Sequence, residues 1–162
     1  MSAGSTPIRI GFEFTRHSSA DRLPPSDQQV LQEAIIAADR AYAPYSGFHV
    51  GAALRSKDGS VRSGNNQENA AFPAGICAER NCLHTTLAQD PKAIVEVMAI
   101  AAKKLGEDQP VSPCGVCRQV LLEQQVRQGS PIRLLLAGAD GSVIEVPDVS
   151  SLLPLAFTPE HL

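Results

Sequence analysis

Residues 113–139, PCGVCRQVLLEQQVRQGSPIRLLLAGA, decide how this chain folds. Proline is favoured in the first turn of a helix, so Pro113 opens a helix expected to reach Gln128, and Ile132 to Ala139 then reads as a strand. Upstream lie a predicted strand over 94–103 and a predicted helix from about Gly75 to Ala88. Earlier still, Val30, Leu31, Ala34, Ile35, Ala38, Ala41 and Tyr42 recur at helical spacing after Ser26, a fair N-cap, until Pro44 stops them. Phe48–Ser56 and Ser60–Asn65 flank Lys57-Asp58-Gly59 and read as a hairpin, and Asp140-Gly141 turns the chain into Ser142–Val146. Strands that alternate with helices belong to one sheet with helices on its faces, and the two Asp-Gly turns make that sheet mixed. The expectation is an α/β fold with a single mixed β-sheet of about five strands sandwiched by helices on both faces. Residues 1–25 read as an N-terminal extension with a possible short strand in IRIGFEF, ended by Leu23-Pro24-Pro25, and residues 26–162 as the main domain.

A chain of 162 residues with 43% apolar content buries a core without disulfide staples. The N-terminus shows no basic segment followed by an apolar stretch, and no apolar run is long enough to span a bilayer. A soluble, cytoplasmic protein is expected, with no membrane partner. In a reducing compartment four cysteines, two of them in Cys-x-x-Cys, point to metal or redox chemistry. A net charge of −3 argues against a nucleic-acid partner, because non-specific binding needs a dense basic surface. With no tryptophan, five Phe and two Tyr, the chain also lacks interleaved aromatics for stacking a single strand. A small, nearly neutral ligand fits better.

Pro113 places Cys114 and Cys117 on one face of a first helical turn, where the free N–H groups favour thiolate. Alone, that pair reads equally as a redox couple or as two core cysteines. GICAERNC, residues 75–82, changes the weight. On a helix Cys77 and Cys82 point about 140° apart, and His84 lies about 10 Å beyond Cys77 along the axis, so neither joins a site built on Cys77. Cys77, Cys114 and Cys117 remain as three ligands, the count that leaves a fourth position open on catalytic zinc. Glu79 borders the same pocket only if Cys77 sits in the first turn, since residues i and i+2 otherwise diverge; Phe72-Pro73-Ala74-Gly75 supplies the chain break. A carboxylate there is a proton shuttle. Three thiolates leave zinc with a net −1, which Arg80 and the two helix N-termini would offset.

Cys-Ala-Glu-Arg and Pro-Cys-Gly-x-Cys-Arg-Gln, with their first cysteines 37 positions apart, together resemble the zinc-dependent cytidine deaminases of the small, three-cysteine type. The resemblance extends from about residue 28 to 162. APYSGFHVGAAL (43–54) is similar to the family's opening strand, NQENA (66–70) to its ribose-binding motif, and LLP (152–154) through Phe157 to its tail. It implies one Zn²⁺ per chain on Cys77, Cys114 and Cys117, with Glu79 as the proton-carrying catalytic residue. It also implies that Phe48 packs on the base, that Asn66 and Glu68 hydrogen-bond the base and ribose hydroxyls, and that Ala78, Phe72 and Phe157 complete the substrate site. Arg80 and Gln119 would support the site from behind.

Two departures stand out. Phe72 replaces a tyrosine, removing a hydroxyl that reaches the sugar, and Asn81-Cys82 replaces Thr-Ala, which makes Cys82 a point of expected oxidation sensitivity. The implied activity is hydrolytic deamination of cytidine and 2′-deoxycytidine in pyrimidine salvage. The implied assembly is a homotetramer with shared active sites, in which Phe157 and Phe72 complete a neighbour's pocket. A nucleoside-antibiotic (blasticidin-type) deaminase, which need not keep Asn-x-Glu-Asn, and a structural zinc or redox module, which leaves Glu79 idle, are the rival readings.

Overall fold

A computed structural model describes residues 4–103 and 110–162; the first three residues of the predicted extension lie outside that range. Among the described residues six strands form one mixed sheet: β1 (Thr15–His17), β2 (Val50–Ser56), β3 (Val61–Asn65), β4 (Val95–Ala102), β5 (Arg133–Ala137) and β6 (Val143–Val146). Their spatial order is β1-β6-β5-β4-β2-β3, with β4 and β5 parallel and every other pair antiparallel. Helix α1 (Pro25–Ala38) covers one face; α2 (Ala78–Gln89) and α3 (Gly115–Gln128) cover the other. The side chains of β4 show why its sequence reads as a nearly continuous apolar run. Val97, Ala99 and Ala101 face α1, while Met98 and Ile100 face α2 and α3, so both faces are buried.

Close approach of the helices depends on two glycines. A Cβ at Gly51 would stand 2.0 Å from the Ala34 carbonyl oxygen in α1, and one at Gly64 would stand 2.6 Å from the Cys82 nitrogen in α2. Each helix therefore lies directly on strand backbone, and α2 in particular is seated against β3 with its N-terminus beside the end of the hairpin.

The sheet has one strand more than the five expected, and it comes from the N-terminal segment. The strand is not IRIGFEF: residues 8–14 belong to no strand of the sheet, and Ile8, Ile10, Phe12 and Phe14 are exposed. Ladder pairing starts at Thr15, where polar anchors hold the chain, since Arg16 donates to Ser142 Oγ (3.2 Å) and His17 meets Glu145 (2.8 Å). Helix α1 also differs from expectation. Pro25 is its first residue, with Pro24 at the N-cap, and it ends at Ala38, well before Pro44. The chain leaves the helix because Tyr42 is drawn into a bridge with Gln67: Tyr42 N donates to Asn66 O, and Glu68 N donates to Tyr42 O.

An ion-pair network under α1 joins distant parts of the fold. Asp27, 1% exposed, accepts from Arg55 Nη1 at 2.9 Å and Arg133 Nη2 at 2.7 Å; Arg133 also binds Glu145, which holds His17. Removing one partner of a buried pair strands the other charges, at a cost of about 3–5 kcal/mol. Asp27→Ala is therefore expected to lower Tm by on the order of 10 °C, measured by thermal denaturation. A melt within about 2 °C of the parent would show that the network adds nothing to stability. Burial works against the charge on Glu145, but His17 and Arg133 outweigh it and lower its pKa. A carboxyl depressed in the folded state adds stability above its unfolded pKa and loses it as pH falls through the folded one, so this share of stability disappears in acid.

Candidate active site

Each of two helices ends on a cysteine. Cys77 is the N-cap of α2 (φ −73°, ψ 155°) and Cys114 the N-cap of α3 (φ −66°, ψ 166°). Extended backbone at an N-cap lets a side chain project past the helix end, while the free N–H groups of the first turn favour a thiolate. Pro113 thus precedes the N-cap instead of opening the helix, and Cys117 is the third helical residue, turned back toward Cys114. The Sγ atoms of Cys77 and Cys114 are 3.9 Å apart and those of Cys114 and Cys117 3.5 Å apart; all three lie within 4.8 Å of one another.

Zinc bonded to sulfur at about 2.3 Å in a tetrahedron separates its ligands by about 3.8 Å, so these thiols already stand at the spacing of three tetrahedral corners. The Cys117 thiol hydrogen-bonds Cys77 and, against burial, brings its pKa down to about 5 with help from Arg80; the same contact pushes Cys117 up.

Cys82 is not part of this cluster. It is 1% exposed, its Sγ contacts the Arg62 carbonyl at 3.3 Å, and burial pushes its thiol up to about 12. A thiol so buried and so rarely ionised resists oxidation, which corrects the sensitivity expected from its position. His84 faces a separate groove between α2 and α3.

Glu79 is the second residue of α2 and only 5% exposed, yet it lines the cavity beside Cys77 and Cys114. Burial, reinforced by the Cys77 charge, raises its carboxyl above the ordinary range. Arg80 reaches the Cys77 and Cys117 sulfurs, and these contacts keep its charge despite burial. Its Nε is buried and has no hydrogen-bond partner among the described residues.

The cavity, about 510 Å³, runs from the thiols to the start of β2 and brings together most of the residues singled out by sequence: Phe48, Asn66, Glu68, Phe72, Ala78, Glu79 and Arg80 line it with Cys77 and Cys114. Phe72 stands at the rim of its own chain's cavity, edge-on to Tyr45. Two residues are not brought here. Gln119 donates to the Phe157 carbonyl at 2.9 Å and faces the groove between α2 and α3, because its position on α3 turns it away from the thiols. The Phe157 ring is 59% exposed and stacked on His161. Val116 was missed; it lines the cavity from the first turn of α3, and its place between Cys114 and Cys117 was the available signal.

Residues 24–129, which contain all three cysteines and Glu79, match the cytidine and deoxycytidylate deaminase zinc-binding region. The cytidine deaminase of Halalkalibacterium halodurans is 42% identical over 135 residues, 83% of this chain and 96% of that protein. This chain belongs to the cytidine and deoxycytidylate deaminase family. The cytidine deaminase of Sporosarcina psychrophila is 39% identical over 136 residues, 83% of this chain and 93% of the relative. Among solved structures, the cytidine deaminase of Burkholderia pseudomallei superposes with a TM-score of 0.70 at 37% identity, covering 80% of this chain and 97% of that one. The Mycobacterium tuberculosis enzyme gives 0.62 at 32% identity, covering 80% and 95%. Zinc is the metal of this family, and the sulfur spacing fits it.

Proposed function

We propose that this family member hydrolyses the C4 amine of cytidine and 2′-deoxycytidine, giving the uracil nucleoside and ammonia. The observation that carries the reading is a buried carboxylate, Glu79, beside three converging thiols at one end of a cavity that presents an aromatic ring, Phe48, an amide and a second carboxylate at the other. Zinc held by Cys77, Cys114 and Cys117 would supply Lewis acidity, lowering the pKa of water at the site. Glu79 takes one proton from the attacking water and delivers it to N3 of the ring; it then takes the remaining proton from the oxygen now bonded to C4 and delivers it to the amine, so that the C4–N bond breaks as the C4 carbonyl forms and ammonia leaves. The raised pKa of Glu79 suits a group that must hold a proton and then release it. Arg80 balances thiolate charge. Phe48 packs on the flat pyrimidine, and Asn66 and Glu68 bind the base and sugar hydroxyls. Ammonia release from cytidine, a blasticidin-type nucleoside, adenosine and free cytosine tests the reading; turnover of cytidine with little on the other three is the expected result, and turnover of the antibiotic alone would replace it.

The assembly we infer is a homotetramer with shared sites, working in the cytoplasm in pyrimidine salvage. Its support is the exposed apolar collar near the cavity, where Tyr45, Phe72 and Val116 are each more than half exposed, together with Phe157, which lies outside its own chain's cavity. A collar of this kind is a surface for a second copy. Mixing inactive Glu79→Gln chains with inactive Phe157→Ala chains is expected to restore activity in hybrid pockets. No rescue despite subunit exchange would refute shared sites.

A further inference from the structure

Ser46 lies at the entry to β2, in the loop that faces the sugar end of the cavity. Its Oγ donates to Glu68 Oε1 at 2.5 Å and accepts from Phe48 N at 2.9 Å. Glu68 Oε2 accepts from Tyr45 N at 2.9 Å and Ser46 N at 3.3 Å. A carboxylate offers about four acceptor sites, so three donors from the loop fix its plane and leave room for one more. The Ser46 hydroxyl is the foremost cause of the lowered Glu68 pKa, which keeps the group anionic and acceptor-only. Asn66 grips the same loop from the other side, with Nδ2 donating to Phe48 O at 2.9 Å and Oδ1 accepting from Val50 N at 2.8 Å. Both backbone polar groups of Phe48 are thus held by side chains. One hydroxyl, Ser46 Oγ, joins the cavity carboxylate to the cavity aromatic.

We propose that Ser46 is a positioning residue for sugar recognition: its hydroxyl aims the Glu68 carboxylate at the 3′-hydroxyl of a bound nucleoside while holding the Phe48 backbone in place. This rests on the proposed nucleoside deaminase activity. Without the Ser46 donor, Glu68 keeps only backbone contacts through one oxygen, and the other is free to rotate away or to hydrate. The cost falls on substrates that use the carboxylate, in the binding step, because the Ser46 hydroxyl bonds to Glu68 and to the Phe48 backbone.

The test compares cytidine with 3′-deoxycytidine. Ser46→Ala is expected to lower kcat/KM for cytidine about tenfold, mainly through KM, with kcat within about threefold of the parent. For 3′-deoxycytidine, which gives Glu68 no hydroxyl to bind, the loss is expected to stay below about threefold, as two changes to one interaction are not additive. Ser46→Thr keeps the hydroxyl and is expected to retain cytidine kcat/KM within about threefold. Equal losses of Ser46→Ala on both nucleosides, no loss on cytidine, or an equal fall in Ser46→Thr would overturn the assignment while leaving the deaminase reading intact. Failure of the parent protein to deaminate either nucleoside would overturn that reading and the assignment with it.

Discussion

Glu79→Gln is expected to retain zinc and the fold but to lose nearly all turnover, by about 10²–10⁴-fold in kcat, the usual contribution of one positioned acid–base group. The amide matches the carboxylate in shape, so the packing of the second residue of α2 against its surroundings survives. What disappears is the proton. Glu79 is 5% exposed, and its pKa is raised first by burial and then by the Cys77 charge, so few water molecules stand ready to replace it. Steady-state kinetics on cytidine, with metal content and circular dichroism as controls, decide the matter. Turnover within about tenfold of the parent, with zinc in place, would assign proton transfer to another group.

The second large effect concerns the metal. Cys114→Ala is expected to abolish stoichiometric zinc, measured by elemental analysis of purified protein, whereas Cys82→Ala is expected to leave it unchanged. Cys114 Sγ lies within 3.9 Å of Cys77 and 3.5 Å of Cys117, so its removal leaves two thiols and no closed face for a tetrahedral ion. Cys82 instead sits in the core between α2 and the sheet, and its replacement by alanine removes one buried sulfur and its contact with the Arg62 carbonyl. That change is expected to show in the thermal melt and not in the metal count. Equal zinc loss from both variants would contradict a site held by three thiolates.

The Cys114–Cys117 pair was legible because its geometry is local. Cys114 and Cys117 are three residues apart, and helical spacing alone puts them on one face; the break before Cys77 is what allows its thiol to project past α2 while Glu79 stays beside it. The alternation of strands and helices was equally readable, since β4 and β5 bury both faces and show it as apolar runs. Element ends were less so. Pro113 marks the start of α3 but stands one residue before the N-cap, and α1 stops early because Tyr42 pairs with Gln67, a partner 25 residues away that no local pattern reveals.

The amino-acid sequence by itself determined the Cys114–Cys117 pair, the placing of Cys77 and Glu79 about one helix start, and the α/β plan, because each depends on spacing within one element or on the period of burial; the meeting of the two helix ends was decided by the fold. Only the tertiary structure decided what the polar residues do between elements. Asp27 reads as an ordinary first-turn acid, yet it lies under Arg55 and Arg133, the latter 106 residues distant, because α1 packs across the centre of the sheet. Ser46 reads as a loop serine, yet it holds Glu68 from 22 residues away. A hydrogen bond or ion pair forms between whichever groups the folded backbone brings within about 3 Å, and sequence separation carries no trace of that distance.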